Sequence, residues 1–235
     1  MSLRAPLAVL IATLLSSPLL AGPMRFLPWD EAIAARKLAV GAGKEAVDLA
    51  DLHPLKRSKP VQVAATAESP AVLIAKDKTS PDGKPVTVVI KIPAECQSPL
   101  VIIVPDPKDP TGVKPFVVED NTARFPYGTF RHLNATGKEL VTKLGEKTVV
   151  LPPKWDPVDV DPGGQTRNIG VQTAIKAQPA KILYSTLMEY DPDIRRLMII
   201  LPGADERLGT LDYKIIPENR KAVAMDEAAA RGSQR

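Results

Sequence analysis

Short runs of Val, Ile and Leu closed by proline recur along this chain. Val86-Thr87-Val88-Val89-Ile90-Lys91-Ile92 precedes Pro93, Leu100-Val101-Ile102-Ile103-Val104 precedes Pro105, and Leu197-Met198-Ile199-Ile200-Leu201 precedes Pro202. Each is short, rich in apolar and β-branched types and ended by a residue that cannot continue a ladder, which predicts strands. Their continuous apolar character predicts strands covered on both faces, or the central strands of a packed sandwich. Leu140 to Leu144, Gly145-Glu146 and Lys147 to Leu151 read as a hairpin, because Gly145 can take the positive φ that a two-residue turn needs. Val61 to Ala64, Val113 to Glu119 after the turn Asp109-Pro110-Thr111-Gly112, and Ala180 to Tyr190 before Asp191-Pro192-Asp193 are further strand candidates.

Near the start of this pattern two readings compete. Trp29-Asp30-Glu31-Ala32 looks like a helix start, whereas Lys37 to Val40, Gly41-Ala42-Gly43-Lys44 and Glu45 to Leu49 look like a hairpin, and the two glycines favour the hairpin. The 24 prolines exclude long helices over most of the length. No repeat of fixed period is visible. From Glu218 to Arg235 charge alternates with alanine, which predicts a short marginal helix fraying into a flexible charged tail over residues 218–235. Strands without alternating helices predict an all-β chain: an antiparallel, immunoglobulin-like β-sandwich over residues 30–217. About a dozen strands fit, more than one seven-stranded unit carries, so either one enlarged sandwich or two abutting ones are expected, with an internal boundary near residues 118–122.

Ahead of this body, Arg4 precedes an apolar run from Leu7 to Leu20 that ends at Ala21-Gly22, with Pro18 breaking it before the small residue. This is the form of an export signal over residues 1–21, and it is too short to span a bilayer. The expected location is therefore periplasmic or secreted, with no integral membrane span once the signal is removed. Cys96 is the only cysteine, so no internal disulfide can form, and its neighbours supply no cation that would favour a thiolate. A net charge of +4 spread along the chain and an aromatic content of 4% build neither a phosphate-tracking groove nor a stacking platform, so no nucleic-acid partner is expected. The densest basic cluster, Lys56-Arg57-Ser58-Lys59, lies between Pro54 and Pro60 and reads as a solvated loop.

In the segment Phe125-Pro126-Tyr127-Gly128-Thr129-Phe130-Arg131-His132-Leu133-Asn134, period two puts Phe130, His132 and Asn134 on one side and Arg131 and Leu133 on the other. Asn134 is then placed to cap backbone groups from Ala135 to Gly137. This segment, Gly137-Lys138 after it, the hairpin closing at Leu151-Pro152-Pro153, and the later stretches Ile182-Leu183-Tyr184-Ser185 and Asp193-Ile194-Arg195-Arg196-Leu197 resemble a group of uncharacterised exported bacterial β-sandwich proteins. The resemblance covers roughly residues 30 to 217. It implies the sandwich fold and carries no activity and no site residues.

Candidate chemistry is sparse. Only His53 and His132 are present, so a three-imidazole metal site is excluded, and neither a nucleophile elbow nor a phosphate or dinucleotide loop occurs. A triad of Ser185, His132 and an acid exists only on paper. The most site-like segment is Trp155 to Gln165, where Asp156, Asp159 and Asp161 accompany an aromatic residue and Gly163-Gly164, a set that could offer oxygen ligands to calcium. Its spacing does not match an EF-hand loop. The sequence therefore favours an exported, non-catalytic sandwich binding another protein or an envelope component without a cofactor. The alternative is an exported hydrolase or a calcium-binding module using the loop 155–165.

Overall fold

A computed structural model describes residues 22–42, 45–66, 69–203 and 210–232. The expected export signal, residues 1–21, lies outside the described residues, as does the tip of the first hairpin at residues 43–44. Among the described residues the chain is all-β, with fifteen strands, one short helix and one C-terminal helix. All but two of the strand pairings are antiparallel; the two parallel ones depart from the expected wholly antiparallel arrangement. No described helix is long and apolar enough to cross a membrane.

The strands run in order as β1 (Arg25–Pro28), β2 (Leu38–Ala42), β3 (Glu45–Asp48), β4 (Val72–Thr79), β5 (Pro85–Val89), β6 (Pro99–Pro105) and β7 (Val113–Glu119). After a connection come β8 (Phe130–Asn134), β9 (Leu140–Leu144), β10 (Lys147–Leu151), β11 (Val158–Val160), β12 (Arg167–Ile175), β13 (Ile182–Tyr190), β14 (Ile194–Pro202) and β15 (Leu211–Asn219). Both readings of the first segment hold: α1 (Glu31–Ala34), capped by the Asp30 side chain on the Ile33 amide, precedes the hairpin of β2 and β3. Val61 to Ala64 forms no strand; only Val61 bridges, to Met24. Nor does the tail begin at Glu218, since β15 runs through Asn219 and α2 (Arg220–Gly232) follows it.

Four sheets result, ordered β3-β2-β4-β5, β1-β6-β7, β11-β8-β14-β15 and β10-β9-β12-β13. They stack in that order because the central strands are apolar on both faces. In β6, Val101 and Ile103 pack toward β2 and β4 while Leu100 and Ile102 pack toward β14. In β14, Leu197 and Ile199 face β6 while Met198 and Ile200 face β9 and β12. Two of the three proline-closed apolar runs, Leu100 to Val104 and Leu197 to Leu201, are thus two-sided strands of the inner layers, whereas the third, from Val86, forms β5, an outer-sheet edge strand whose residues alternate between exposed and half-buried because no layer covers its second face.

The two sets of strands repeat one topology. The first strand of each (β1, β8) runs parallel to the sixth of its set (β6, β14), which pairs antiparallel with the last (β7, β15); the remaining four make the sheet 3-2-4-5, and β11 is an addition on the edge of β8. Register makes the match residue by residue. Arg25, Leu100 and Val118 lie side by side in the first set, and Arg131, Leu197 and Ile216 in the second. Leu27 thereby answers Leu133, Phe26 answers His132, and Asp120 answers Glu218. Leu27, Leu100, Ile102 and Val118 meet Leu133, Leu197, Ile199 and Ile216 in one buried cluster. The same sheet face from each set forms this contact, as in an isologous dimer. In sequence only the echo between Leu100 to Pro105 and Leu197 to Pro202 survives, so no period is visible.

Asn134, at the end of β8, fixes the following turn. Its side-chain amide donates to the carbonyls of Lys138 (2.7 Å) and Leu151 (3.1 Å), and its oxygen accepts from the Thr136 amide (3.0 Å). Asn134→Ala removes these hydrogen bonds, among them the buried one to the Leu151 carbonyl, and is expected to lower the unfolding free energy by about 1–3 kcal/mol, measurable in urea.

Candidate functional site

Where the like faces meet, one end of the contact is charged. Arg25 comes from β1, Arg57 from the loop between β3 and β4, Asp120 from just beyond β7, Arg195 from β14 and Glu218 from β15. Asp120 accepts from Arg57 through both oxygens (2.9 and 3.1 Å) and from Arg195 (3.3 Å). Glu218 accepts from Arg195 Nε at 2.6 Å and from Arg25. Arg195, 1% exposed, also donates to the carbonyls of Asp120 (2.8 Å) and Phe125 (3.0 Å). The matching acidic positions of the two sets thus share one group of guanidiniums. Arg57 is buried here, not solvated as its basic neighbours suggest; Ser58 anchors its loop by exchanging hydrogen bonds with the Phe26 backbone.

Phe125 fills the centre of this group. Its ring lies 4.3 Å from the Arg131 guanidinium, 5.0 Å from that of Arg195 and 6.0 Å from that of Arg57. Cations over an aromatic face gain from its quadrupole, so the ring separates like charges that the two carboxylates alone do not neutralise. Burial pushes the Glu218 carboxyl up, but the guanidiniums of Arg57, Arg25 and Arg195 outweigh it and hold the group at about 2. Burial, then the Glu218 charge, raises the Tyr127 phenol beside it.

Above these charges opens a cleft of about 330 Å³. Arg25, Asp120, Tyr127, Arg195 and Glu218 form its floor and sides, Thr122 its rim, and Val223 and Glu227 of α2 one wall. Both sets of strands contribute to it, a common location for binding sites. The opposite end of the contact is aromatic: Trp155 packs on Trp29 and Phe116, with ring centroids 5.8 and 4.8 Å away. Lys214 donates there to the Pro28 (3.0 Å) and Trp29 carbonyls, and burial lowers its ammonium to about 8.

The acidic loop does not converge. Asp159, on β11, forms a two-pronged pair with Arg131 (2.7 and 2.6 Å), Asp161 accepts from the Gly163 amide (2.8 Å), and Asp156 is exposed. Among the described residues no group of three or more His, Cys, Asp or Glu side chains is placed to hold a metal ion. The physical reason lies in β11, which sends Asp159 across to Arg131 on β8 while its neighbours follow the turns on either side. Ser185 is exposed on β13 and His132 is sealed, so the two do not meet. His53 Nδ1 accepts from the Leu55 amide (3.0 Å) within a turn. Burial, then the Glu119 charge, raises the Cys96 thiol to about 11.

Sequence reasoning missed Arg25, Asp120, Arg195 and Glu218. One signal was available: Arg195 and Glu218 keep the period-two phase of Leu197, Ile199 and Ile216, so they fall on a buried face. No protein-family model matches the chain, and no curated protein is similar to it in sequence.

Proposed function

We propose that the chain is an exported, non-catalytic binding protein, built of two immunoglobulin-like β-sandwich units in tandem that meet near residues 118–122, and that it holds another protein or an envelope component in the cleft between them. The observation that carries this reading is the cleft itself, whose walls come from both units and present charges already paired with one another. Such walls offer hydrogen-bonding directions without a poised nucleophile. The groups best suited to catalysis have structural surroundings instead: His132 makes no well-formed hydrogen bond, His53 holds a turn, and the Cys96 thiol stays protonated. The two-sheet arrangement of each unit, seven strands in the first and the same seven plus the added β11 in the second, supports the immunoglobulin-like description.

A photo-crosslinking residue at Thr122, on the cleft rim, tests this in intact cells against a control at exposed Lys91. The expected result is a discrete adduct from position 122 only, with the processed protein in the exported fraction. Adducts absent from position 122, or unprocessed protein held inside the cell, overturn the proposal.

A further inference from the structure

Every sheet of the chain ends in edge strands, and all but one of these carry features that discourage further pairing. Four-residue β1 ends in Pro28, and β3, equally short, is flanked by Glu45 and Asp48. Pro85 opens β5, Lys114 and Pro115 lie in β7, and β11 has three residues. Lys147 opens β10, which runs into Pro152-Pro153, while β15 contains Lys214 and Pro217. Proline removes a donor, lysine resists burial, and short strands offer few bonds.

β13 differs. It spans nine residues, Ile182 to Tyr190, with no proline, no lysine and a single charge, Glu189. Among the described residues it pairs only with β12, so its other edge has no strand beside it. Leu187 is 74% exposed on it, an outlay of apolar surface that the folded chain does not use.

The sequence of β13 is complementary to itself in one antiparallel register. With Thr186 opposite its own copy, Tyr184 faces Met188, Ser185 faces Leu187, and the two Leu187 side chains are diagonal neighbours. In the same register exposed Lys181, just before the strand, stands opposite Asp191, just after it, at both ends. Tyr184 and Met188 already point toward the inner side with Tyr213, so an aromatic–sulfur contact would extend the existing core. Thr–Thr and opposite-charge pairs directly across antiparallel strands are favourable. A shift of two residues would replace Asp191 by Glu189 or Asp193 opposite Lys181 and would lose both the Tyr184–Met188 and the Thr186–Thr186 pairs.

We infer that β13 is a self-association surface, and that a second copy of this chain adds its own β13 antiparallel to the first about Thr186, joining two four-stranded sheets into one of eight. The contact is isologous and closes after two copies. It lies on β13, which contributes no residue to the cleft, so this inference and the proposed binding role stand or fall separately.

Sedimentation velocity on the purified protein, from micromolar to hundred-micromolar concentration, tests it. The expected result is a two-chain mass at the upper end. Leu187→Glu, which places like charges diagonally across the axis, should weaken association at least tenfold, with an unchanged circular dichroism spectrum. Lys181→Asp should do the same by facing Asp191 with a like charge, and adding Asp191→Lys should restore the dimer. A single-chain mass at every concentration overturns the inference and leaves the edge to an extended segment of another protein. A dimer unaffected by Leu187→Glu, or one that the double charge reversal fails to restore, overturns it equally.

Discussion

Replacing Arg195 with methionine is expected to cost about 3–5 kcal/mol of unfolding free energy, the range for breaking a buried ion pair by removing one partner. The guanidinium bonds both acidic groups of the charged end and two main-chain carbonyls, and it is 1% exposed. Methionine keeps much of the volume but none of the donors. Glu218 and Asp120 would retain Arg25 and Arg57, yet the carbonyls of Asp120 and Phe125 would lose this buried donor. Urea denaturation at neutral pH checks the magnitude through the transition midpoint. The exposed pair of Lys76 and Asp48, 2.8 Å apart, provides the contrast: Lys76→Met should change stability by less than about 1 kcal/mol. Equal effects from the two substitutions would refute the view that the charged end locks the two sets of strands together.

Strands were legible where the local sequence alone determines them. The hairpin of β9 and β10 lies where Gly145 predicts it, with φ at +61°, and β7 matches Val113 to Glu119 residue for residue. The two-sided burial of β6 and β14 also followed from their apolar runs. Strands β1, β4 and β12 escaped because their apolar runs are short or broken by polar residues, as in Lys76-Asp77-Lys78, and only long-range pairing selects them. The charged end escaped for a related reason. Arg25 and Glu218 are 193 residues apart, and Arg57 and Asp120 are 63 apart, so no local pattern joins them. The acidic loop misled in the opposite way: three carboxylates close in sequence diverge because Asp159, on β11, is drawn to Arg131 across the sheet while Asp156 and Asp161 lie outside that strand in the flanking turns.

Between pH 6.5 and about 4 the protein is expected to lose about 3 kcal/mol of stability through His132 alone, and His132→Phe should abolish that loss. The imidazole is fully buried and neither nitrogen makes a well-formed hydrogen bond, the Val158 and Phe130 backbone offering only poorly aligned ones. Burial pushes it down to about 4, with the Val158 and Phe130 backbone and the Asp159 charge resisting only in part. A histidine whose folded pKa lies below its unfolded value takes up its proton more readily when unfolded. Stability is therefore full above about 6.5, falls as the pH drops toward 4, and levels off below that value. Glu218 acts in a lower window: its carboxyl, held at about 2, contributes stability that is present above its ordinary value near 4.5 and lost as the pH falls through 2. The two windows separate the two groups. Phenylalanine is the replacement that the repeated topology itself supplies, because Phe26, at 0% exposure, occupies the matching position on β1. Removing two poorly bonded ring nitrogens should leave stability at pH 7 equal or higher. Urea midpoints across pH 7 to 5, above the Glu218 window, should be flat for His132→Phe and sloping for the parent chain; parallel slopes would mean that His132 is hydrated or paired, and that the layer between β8 and β12 is not dry.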